Sequence, residues 1–477
     1  MSLRDIRFNY REDLSTLLPG FNMEPRFFGL SPGFEAPGLG FVLGMQPDLN
    51  PNDRNNWLFR AANRGWMNTS PVLNDQISQF QSHNIDAKIT LEPFKSFEIT
   101  VDFIKKYRRT HTEVFKNKDT SGEIEFMQLA GFDMGGFEES YLSLKTLFGR
   151  PPELLYSIFK ENRRVISNRL PNIPDPPEHA TDPGYVRGYG ERHYDVIVPA
   201  FLAAYQGDDV NTVDFDLEGK MSNRLRIPAP NWSLRYDGLR NLPWFRDFLS
   251  GFNLTHGYRS TLRVNHFNSI PNFSVLNPFD ALDRANNYYT RIEIPQLSIV
   301  EAFAPLVGVN FRTKSDLNID FQYKKGRQLD LSLQTDLREQ RNTELVFGFG
   351  YTIRDFKGFG GGGADRGQRT RPGQEPQQQQ QQRGRVTSTR GRTLKINLDF
   401  SVRDNISYVF NFLDTSDIPE PERGVKEISL NPNVDYDMTD NLTLRFFVQY
   451  RRSEPKTSLS FNTTNVNGGV TLRFKLN

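Results

Sequence analysis

The 477-residue sequence contains no cysteine, which excludes disulfide scaffolds, thiolate metal sites and thiol nucleophiles and leaves the redox compartment open. Histidine is scarce too. The six present form no HExxH pattern and no close pair, so metal-dependent hydrolysis has no starting point. Long apolar runs are also missing. A helical membrane span needs ~20 apolar residues, and the longest candidate, residues 196–205, falls well short and contains Pro199. Helical membrane proteins are thereby excluded. No sign of charge dominates: 59 Lys and Arg face 57 Asp and Glu, a net of +2, so the balance selects no polyanionic partner and no nucleic acid is expected. The residues after Met1 read as a polar strand and not as the apolar core of a secretory signal, so the expectation is a cytosolic protein or a piece of a longer chain.

Aromatic residues, in contrast, are plentiful: 39 Phe and 17 Tyr in a chain only 37% hydrophobic. Their spacing is the dominant signal. Apolar and aromatic side chains recur at every second position, the period of a strand with one apolar and one polar face. One face of the segment from residue 394 carries Leu394, Ile396, Leu398 and Phe400, and the other carries Lys395, Asn397, Asp399 and Arg403. The same alternation places Leu444, Phe446 and Val448 opposite Arg445 and Gln449, and it recurs over residues 317–323, 345–353 and 470–476. Residues 85–91, 97–103, 252–264 and 292–299 read as earlier strands of this kind. Segments of roughly nine to eleven residues match strands that cross a bilayer, whereas strands of soluble sheets average about five or six. Tyr351 and Tyr450 near strand ends fit an interfacial aromatic girdle.

The expected fold is therefore all-β: an antiparallel transmembrane β-barrel of roughly eighteen strands. Lys395, Asn397, Asp399, Arg403, Arg445 and Gln449 face the lumen, and Leu394, Ile396, Leu398, Phe400, Leu444, Phe446 and Val448 face lipid. A soluble all-β protein that binds or processes glycans is the reading from another class. Short turns are expected at Lys325-Gly326, Arg403-Asp404-Asn405, Thr439-Asp440-Asn441 and Asn467-Gly468.

Three segments depart from the pattern. Residues 152–166 and 194–205 have helical spacing, with Gly207 as the stop of the second, and residues 242–249 form a weaker third. The first two, with the Pro- and Gly-dense stretch 171–190 between them, make residues 148–230 a loop and helical insertion that either plugs a lumen or packs on a barrel rim. Residues 357–392 hold four consecutive glycines, a Gln run over 377–382 and scattered Arg, a composition expected to stay disordered. No GK[ST] follows those glycines, so no phosphate loop is read there.

No catalytic constellation emerges. Asp208 with Asp209, Asp214 with Asp216 and Glu138 with Glu139 are adjacent carboxylates of undefined separation. His256 reads as a hydrogen-bonded strand histidine. The chain is expected to be no enzyme and to carry no cofactor and no metal.

Particular stretches are distinctive: Leu18-Pro19-Gly20-Phe21, residues 36–47 (APGLGFVLGMQP), 198–207 (VPAFLAAYQG), 226–232 (RIPAPNW), 255–265 (THGYRSTLRVN) and 294–310 (IPQLSIVEAFAPLVGVN). In these the chain resembles, in order and over most of its length, the C-terminal part of the SprA family, also called Sov. That family is the outer-membrane translocon of the type IX secretion system, found with gliding motility in the Bacteroidota. The resemblance implies a C-terminal segment, residues 1–477, of a very large single-chain barrel in the outer membrane. Such a barrel exports folded cargo proteins bearing a C-terminal secretion domain to the cell surface. It also implies partners: a PorV-like barrel at a side opening, a plug protein, the N-terminal remainder of the translocon and outer-membrane lipid. The chain departs from the family in its Gly, Gln and Arg tract and in ending on Leu476-Asn477 where a terminal aromatic is usual. A stand-alone outer-membrane pore or transporter is the alternative.

Overall fold

The computed structural model describes residues 2–50, 53–118, 121, 124–129, 131–148, 150–171, 175–274, 276–333, 335–356, 392–412, 420–439, 441–457 and 460–475. Sixteen strands follow in chain order: β1 (Ser2–Leu17), β2 (Ile77–Phe94), β3 (Phe97–Glu113), β4 (Phe115–Asn117), β5 (Phe126–Gln128), β6 (Phe132–Ser140), β7 (Asn231–Tyr236), β8 (Leu249–Ser269), β9 (Ile292–Glu293), β10 (Gln296–Thr313), β11 (Leu317–Ser332), β12 (Asp336–Phe356), β13 (Arg392–Asn411), β14 (Glu420–Thr439), β15 (Leu442–Pro455) and β16 (Thr463–Phe474). Fourteen of them form one antiparallel sheet along the path β1-β2-β3-β6-β8-β10-β11-β12-β13-β14-β15-β16, with β7 pairing β3 and β8 and β9 pairing β8. β4 and β5 make a separate ribbon. Among the described residues β1 pairs only with β2, and β16 only with β15, so the sheet has two free edges.

The mostly β, antiparallel architecture is as expected, and among the described residues the strands number sixteen against the expected eighteen, several of them longer than the nine to eleven residues expected. Lys325-Gly326 lies inside β11, Arg403-Asp404-Asn405 inside β13 and Asn467-Gly468 inside β16, so none of the three is a turn. Each polar group sits in an unbroken register: those in β11 and β13 have a paired strand on both sides, and Asn467-Gly468 in the edge strand β16 pairs with Val448 and Gln449 of β15. Of the expected turns only Thr439-Asp440-Asn441 falls between two strands, β14 ending at Thr439 and β15 starting at Leu442, with Asp440 outside the described residues. β12 and β8 reach 21 residues each, about twice what a bilayer requires. Residues 357–391 lie outside the described residues, and Arg392 already belongs to β13.

β6 and β7 share one strand position. β3 pairs β7 through Phe97–Asp102 and β6 through Lys105–Thr112, while β8 pairs β7 through Leu254–Tyr258 and β6 through Thr261–Asn268. The chain thus leaves the sheet midway along a strand at Ser140 and re-enters the same position at Asn231, so the insertion begins seven residues before the expected residue 148. Its helices follow from sequence. Pro152 opens the helix Pro152–Arg169, where a missing N–H costs nothing, and Leu155, Phe159 and Ile166 bury on one side. The helix Tyr194–Gln206 is apolar nearly all round and correspondingly interior, and it stops at Gly207, whose φ of 75° favours glycine. The weaker third helix is only Pro243–Arg246, and Leu249 starts β8.

These helices pack on the sheet through the cross-strand row Leu297, Leu331, Leu337 and Phe410, all but closed to solvent. Each such side chain stabilises by roughly 1.5–3 kcal/mol when fully buried. A second, smaller core around Leu58, Ala61, Trp66, Met67 and Phe115 holds the long connection between β1 and β2.

Candidate functional site

Registers assign every side chain of the long strands to one of two faces. One row across the sheet reads Val309, Phe321, Phe347, Phe400, Leu430 and Tyr450. The neighbouring rows add Phe349 with Leu398, and Ile396 with Val434, Phe446 and Val470. Towards the β1 edge, on the same face, the band continues through Ile6, Ile89, Val101 and Trp232. The result is an apolar band on one face, spanning all twelve strand positions. It occupies the half of the sheet that contains the β10–β11 and β14–β15 turns, the ends of β12 and β13 that meet at Phe356 and Arg392, and the end of β16. Much of it is open: Phe8 is 67% exposed, Phe446 47% and Val470 61%. From Leu345 to Ile353 the band covers about 27 Å along β12, which at a barrel's tilt projects to roughly 20 Å.

The opposite face is polar and laddered with cross-strand pairs. Arg445 donates to Asp435 from Nε at 2.6 Å and from a terminal nitrogen at 3.2 Å. Lys395 pairs with Asp437 at 3.5 Å, Asn397 Nδ2 donates to Asn433 at 2.9 Å, and Glu344 is shared by Arg403 at 2.7 Å and Lys324 at 3.4 Å. Asp399 stands in register with Gly348 and Asn431. Lys395, Asp435, Asp437, Arg445 and Gln449 line a trough of about 930 Å³ on this face. Phe447 is the aromatic exception and lies over Gly469, where an added Cβ would meet its ring at 2.9 Å.

All thirteen sequence-assigned residues are thus sorted onto two faces. The six polar ones share one face, and Leu394, Ile396, Leu398, Phe400, Leu444, Phe446 and Val448 share the other. Leu394 differs from its companions in being only 5% exposed, in register between Ile353 and Tyr436. The adjacent carboxylates take separate partners: Glu139 takes Arg226 while Glu138 takes Arg263, Asp208 holds Lys145 while Asp209 accepts from the Asn211 N–H, and Asp214 holds Lys220 while Asp216 accepts from the Gly219 N–H. His256 is hydrogen-bonded as expected, its Nδ1 against the Leu306 carbonyl at 2.7 Å and its Nε2 accepting from Trp232 at 3.2 Å. Among the described residues no group of three or more His, Asp or Glu could hold a metal ion, and no helix is long and apolar enough to cross a membrane.

No family model and no curated protein matches the chain.

The insertion sits on the same face as the apolar band, beyond it, and not on the polar face. Leu329 and Leu331 under the helices are even-numbered steps along β11 from Phe321 and Tyr323 in the band, with no bulge between. A buried ion network that sequence reasoning missed marks the junction. Arg327 pairs with Glu301 and reaches the Thr146 carbonyl at 3.1 Å and its hydroxyl at 2.8 Å. Glu301 also accepts from Ser143 at 2.5 Å and Tyr258 at 3.2 Å. Nearer β1, Lys105 donates to the Lys220 and Asn223 carbonyls at 3.0 and 2.7 Å. The available signal was the arrival of charge on the apolar face at Glu301, Lys325, Arg327, Glu339 and Arg341, where alternation alone calls for Leu or Phe.

Within the insertion, His193 caps the helix Tyr194–Gln206: its Nδ1 accepts from the Asp195 N–H at 3.2 Å, and its Nε2 donates to the Tyr288 carbonyl at 3.0 Å. Burial holds this imidazole below the ordinary histidine range, against the attraction of Asp195 and Asp283, and so favours the neutral ring these two bonds require. Burial also drives the Tyr205 phenol well up.

Proposed function

We propose that this chain is a wall segment of an outer-membrane β-barrel translocon, the C-terminal part of a SprA-like conduit for folded cargo in type IX secretion. The observation that carries the reading is the exposed apolar band, continuous over twelve strand positions and backed by a charge-laddered polar face. An apolar face that wide and open needs lipid, and a polar face that pairs its own charges suits a water-filled lumen. The free edges of β1 and β16 fit a segment that continues into further strands. With the insertion on the band's face but beyond the band, the helices stand outside the wall at one membrane surface and leave the polar face clear for cargo. No residue acts covalently in this reading, and the polar side chains serve as a hydrated lining. Cargo with a C-terminal secretion domain, a PorV-like barrel and a plug protein are the partners it implies.

A stand-alone outer-membrane pore is the second reading, favoured by the strand count: twelve positions lie within the range of roughly 8 to 26 for single-chain barrels.

Because the chain has no cysteine, single cysteines report without background. Placed at Asn397 and Asp399 they should react with a membrane-impermeant maleimide in intact outer membranes, and placed at Ile396 and Leu398 they should be protected and quenched by lipid-borne probes. Equal reactivity at all four positions would remove the membrane assignment and restore the soluble all-β reading.

A further inference from the structure

We propose that a recess in the helical insertion is a binding pocket for an alkylammonium or guanidinium group, held between aromatic rings by Asp195. The cavity, of about 300 Å³, lies between the first turns of the helix Tyr194–Gln206, residues 215–218 and residues 288–292. That size is at the small end for ligand pockets and takes one long side chain or small amine, not an extended ligand. Rings of Tyr189, Tyr194, Phe215 and Tyr288 line it, and Tyr189 and Tyr288 meet edge to face at 5.5 Å. Their position is built in. Gly188, with φ of +83°, lies so close to the Tyr288 ring that a Cβ would approach it to 2.1 Å, and the Tyr288 carbonyl is fixed by His193. Stacked or boxed aromatic faces attract cations through their quadrupole.

The charges in the recess agree. Asp195, Asp216 and Glu218 line it against a single Arg291, and Arg291 is already paired to Glu218 at 3.0 Å. Asp216 is committed to capping a short helix, accepting from the Gly219 N–H at 2.7 Å. Asp195 has no hydrogen-bond or ion-pair partner for its carboxylate among the described residues, and it remains exposed to the recess. Pro199, also in the lining, offers no N–H to the Asp195 carbonyl four residues back, so acceptors at this point outnumber donors. A carboxylate placed this way in a ring-lined cavity is short of one cation. A neutral sugar would also stack on such rings, but it would leave the Asp195 charge uncompensated.

The full chain in detergent micelles, titrated with N-acetyl-lysinamide, argininamide and methylammonium and followed by tyrosine fluorescence or saturation-transfer NMR, tests this. The expected result is saturable binding, weakened by salt, that falls at least tenfold in Asp195→Asn and several-fold in Tyr288→Leu. If Asp195→Asn does not fold, Phe279→Leu, which removes a lining ring that stands against Tyr288 at 5.4 Å, should show the several-fold loss instead. Binding of the lysine or arginine derivative well above methylammonium identifies a polypeptide side chain as the source, and parity identifies a free amine. No saturable binding, unchanged affinity in the folded Asp195→Asn variant, or saturation by methyl glucoside with none by the cations would each overturn the assignment.

Discussion

At the scale of single residues, burial decides which of the many ion pairs matter. Lys145 and Asp208 leave 66% and 41% of their side chains in water, and such pairs contribute about 0–1 kcal/mol. Glu301 and Arg327 are wholly enclosed. Removing one partner there strands a charge in a low-dielectric junction, at a cost of about 3–5 kcal/mol, whereas replacing both with apolar groups is far milder. Glu301→Gln should therefore lower the urea midpoint and open residues 141–230 to proteolysis, and Glu301→Leu combined with Arg327→Met should recover most of the loss. A double variant as unstable as the single one would mean that the network's hydrogen bonds to Ser143, Tyr258 and Thr146, not its charge, hold the insertion down. His193 gives a second residue-level test. Its folded pKa is depressed below ~6.5, so the unfolded form binds the proton first as pH falls and the insertion loses stability below that value, the loss ending once the folded ring protonates. The facing groups Asp195 and Asp283 oppose the shift and His179 adds to it. Amide protection factors in the helix Tyr194–Gln206, corrected for the intrinsic pH dependence of exchange, should fall between pH 7.5 and 5.5, and His193→Gln should flatten that response. An identical pH response in both proteins would assign it elsewhere.

At the scale of elements, alternation was the most legible feature, and it sorted both faces of β13 and β15 before any register was known. It did not locate strand ends. A polar doublet such as Asp404-Asn405 has the composition of a turn, but in a strand that outruns the apolar band it marks only where the strand emerges from it. Nor was the split strand readable, because β6 and β7 are separated by the whole insertion and acquire their common position from β3 and β8. The docking face of the helices was open for the same reason: only the tertiary pairing of Leu297 with Leu331 and Leu337 reveals it. One connection invites direct surgery. Phe356 and Arg392 are register partners, so the strand ends that residues 357–391 join already meet. Replacing that segment with a four-residue turn should preserve β12–β13 pairing and raise stability by roughly 2 kcal/mol through the smaller closure entropy. Denaturant midpoints of the shortened and full-length chains compare the two, and a destabilised short form would show that the segment makes contacts that matter to the fold.

At the scale of the whole molecule the two free edges set what the chain can do alone. Within lipid every unpaired N–H or C=O costs several kcal/mol, so a spanning sheet must close on itself or on other strands. β1 presents Leu3, Ile6 and Phe8 at 57%, 59% and 67% exposure, and β16 presents Val466, Val470 and Leu472 at 64%, 61% and 64%, so both edges carry the full apolar band with nothing beside it. On the translocon reading these edges take strands from the N-terminal remainder, and the isolated chain has no reason to close at twelve positions. Reconstituted by itself in planar bilayers it should give no uniform single-channel conductance, and one cysteine in β1 with another in β16 should form no intramolecular disulfide under oxidation. Co-expression with the N-terminal remainder should yield a heat-resistant assembly in which the β1 cysteine crosslinks to that partner instead. Stable channels of a single conductance together with an efficient β1–β16 crosslink would reverse the conclusion, because they require the edges to satisfy each other, and the stand-alone pore would then be the correct description.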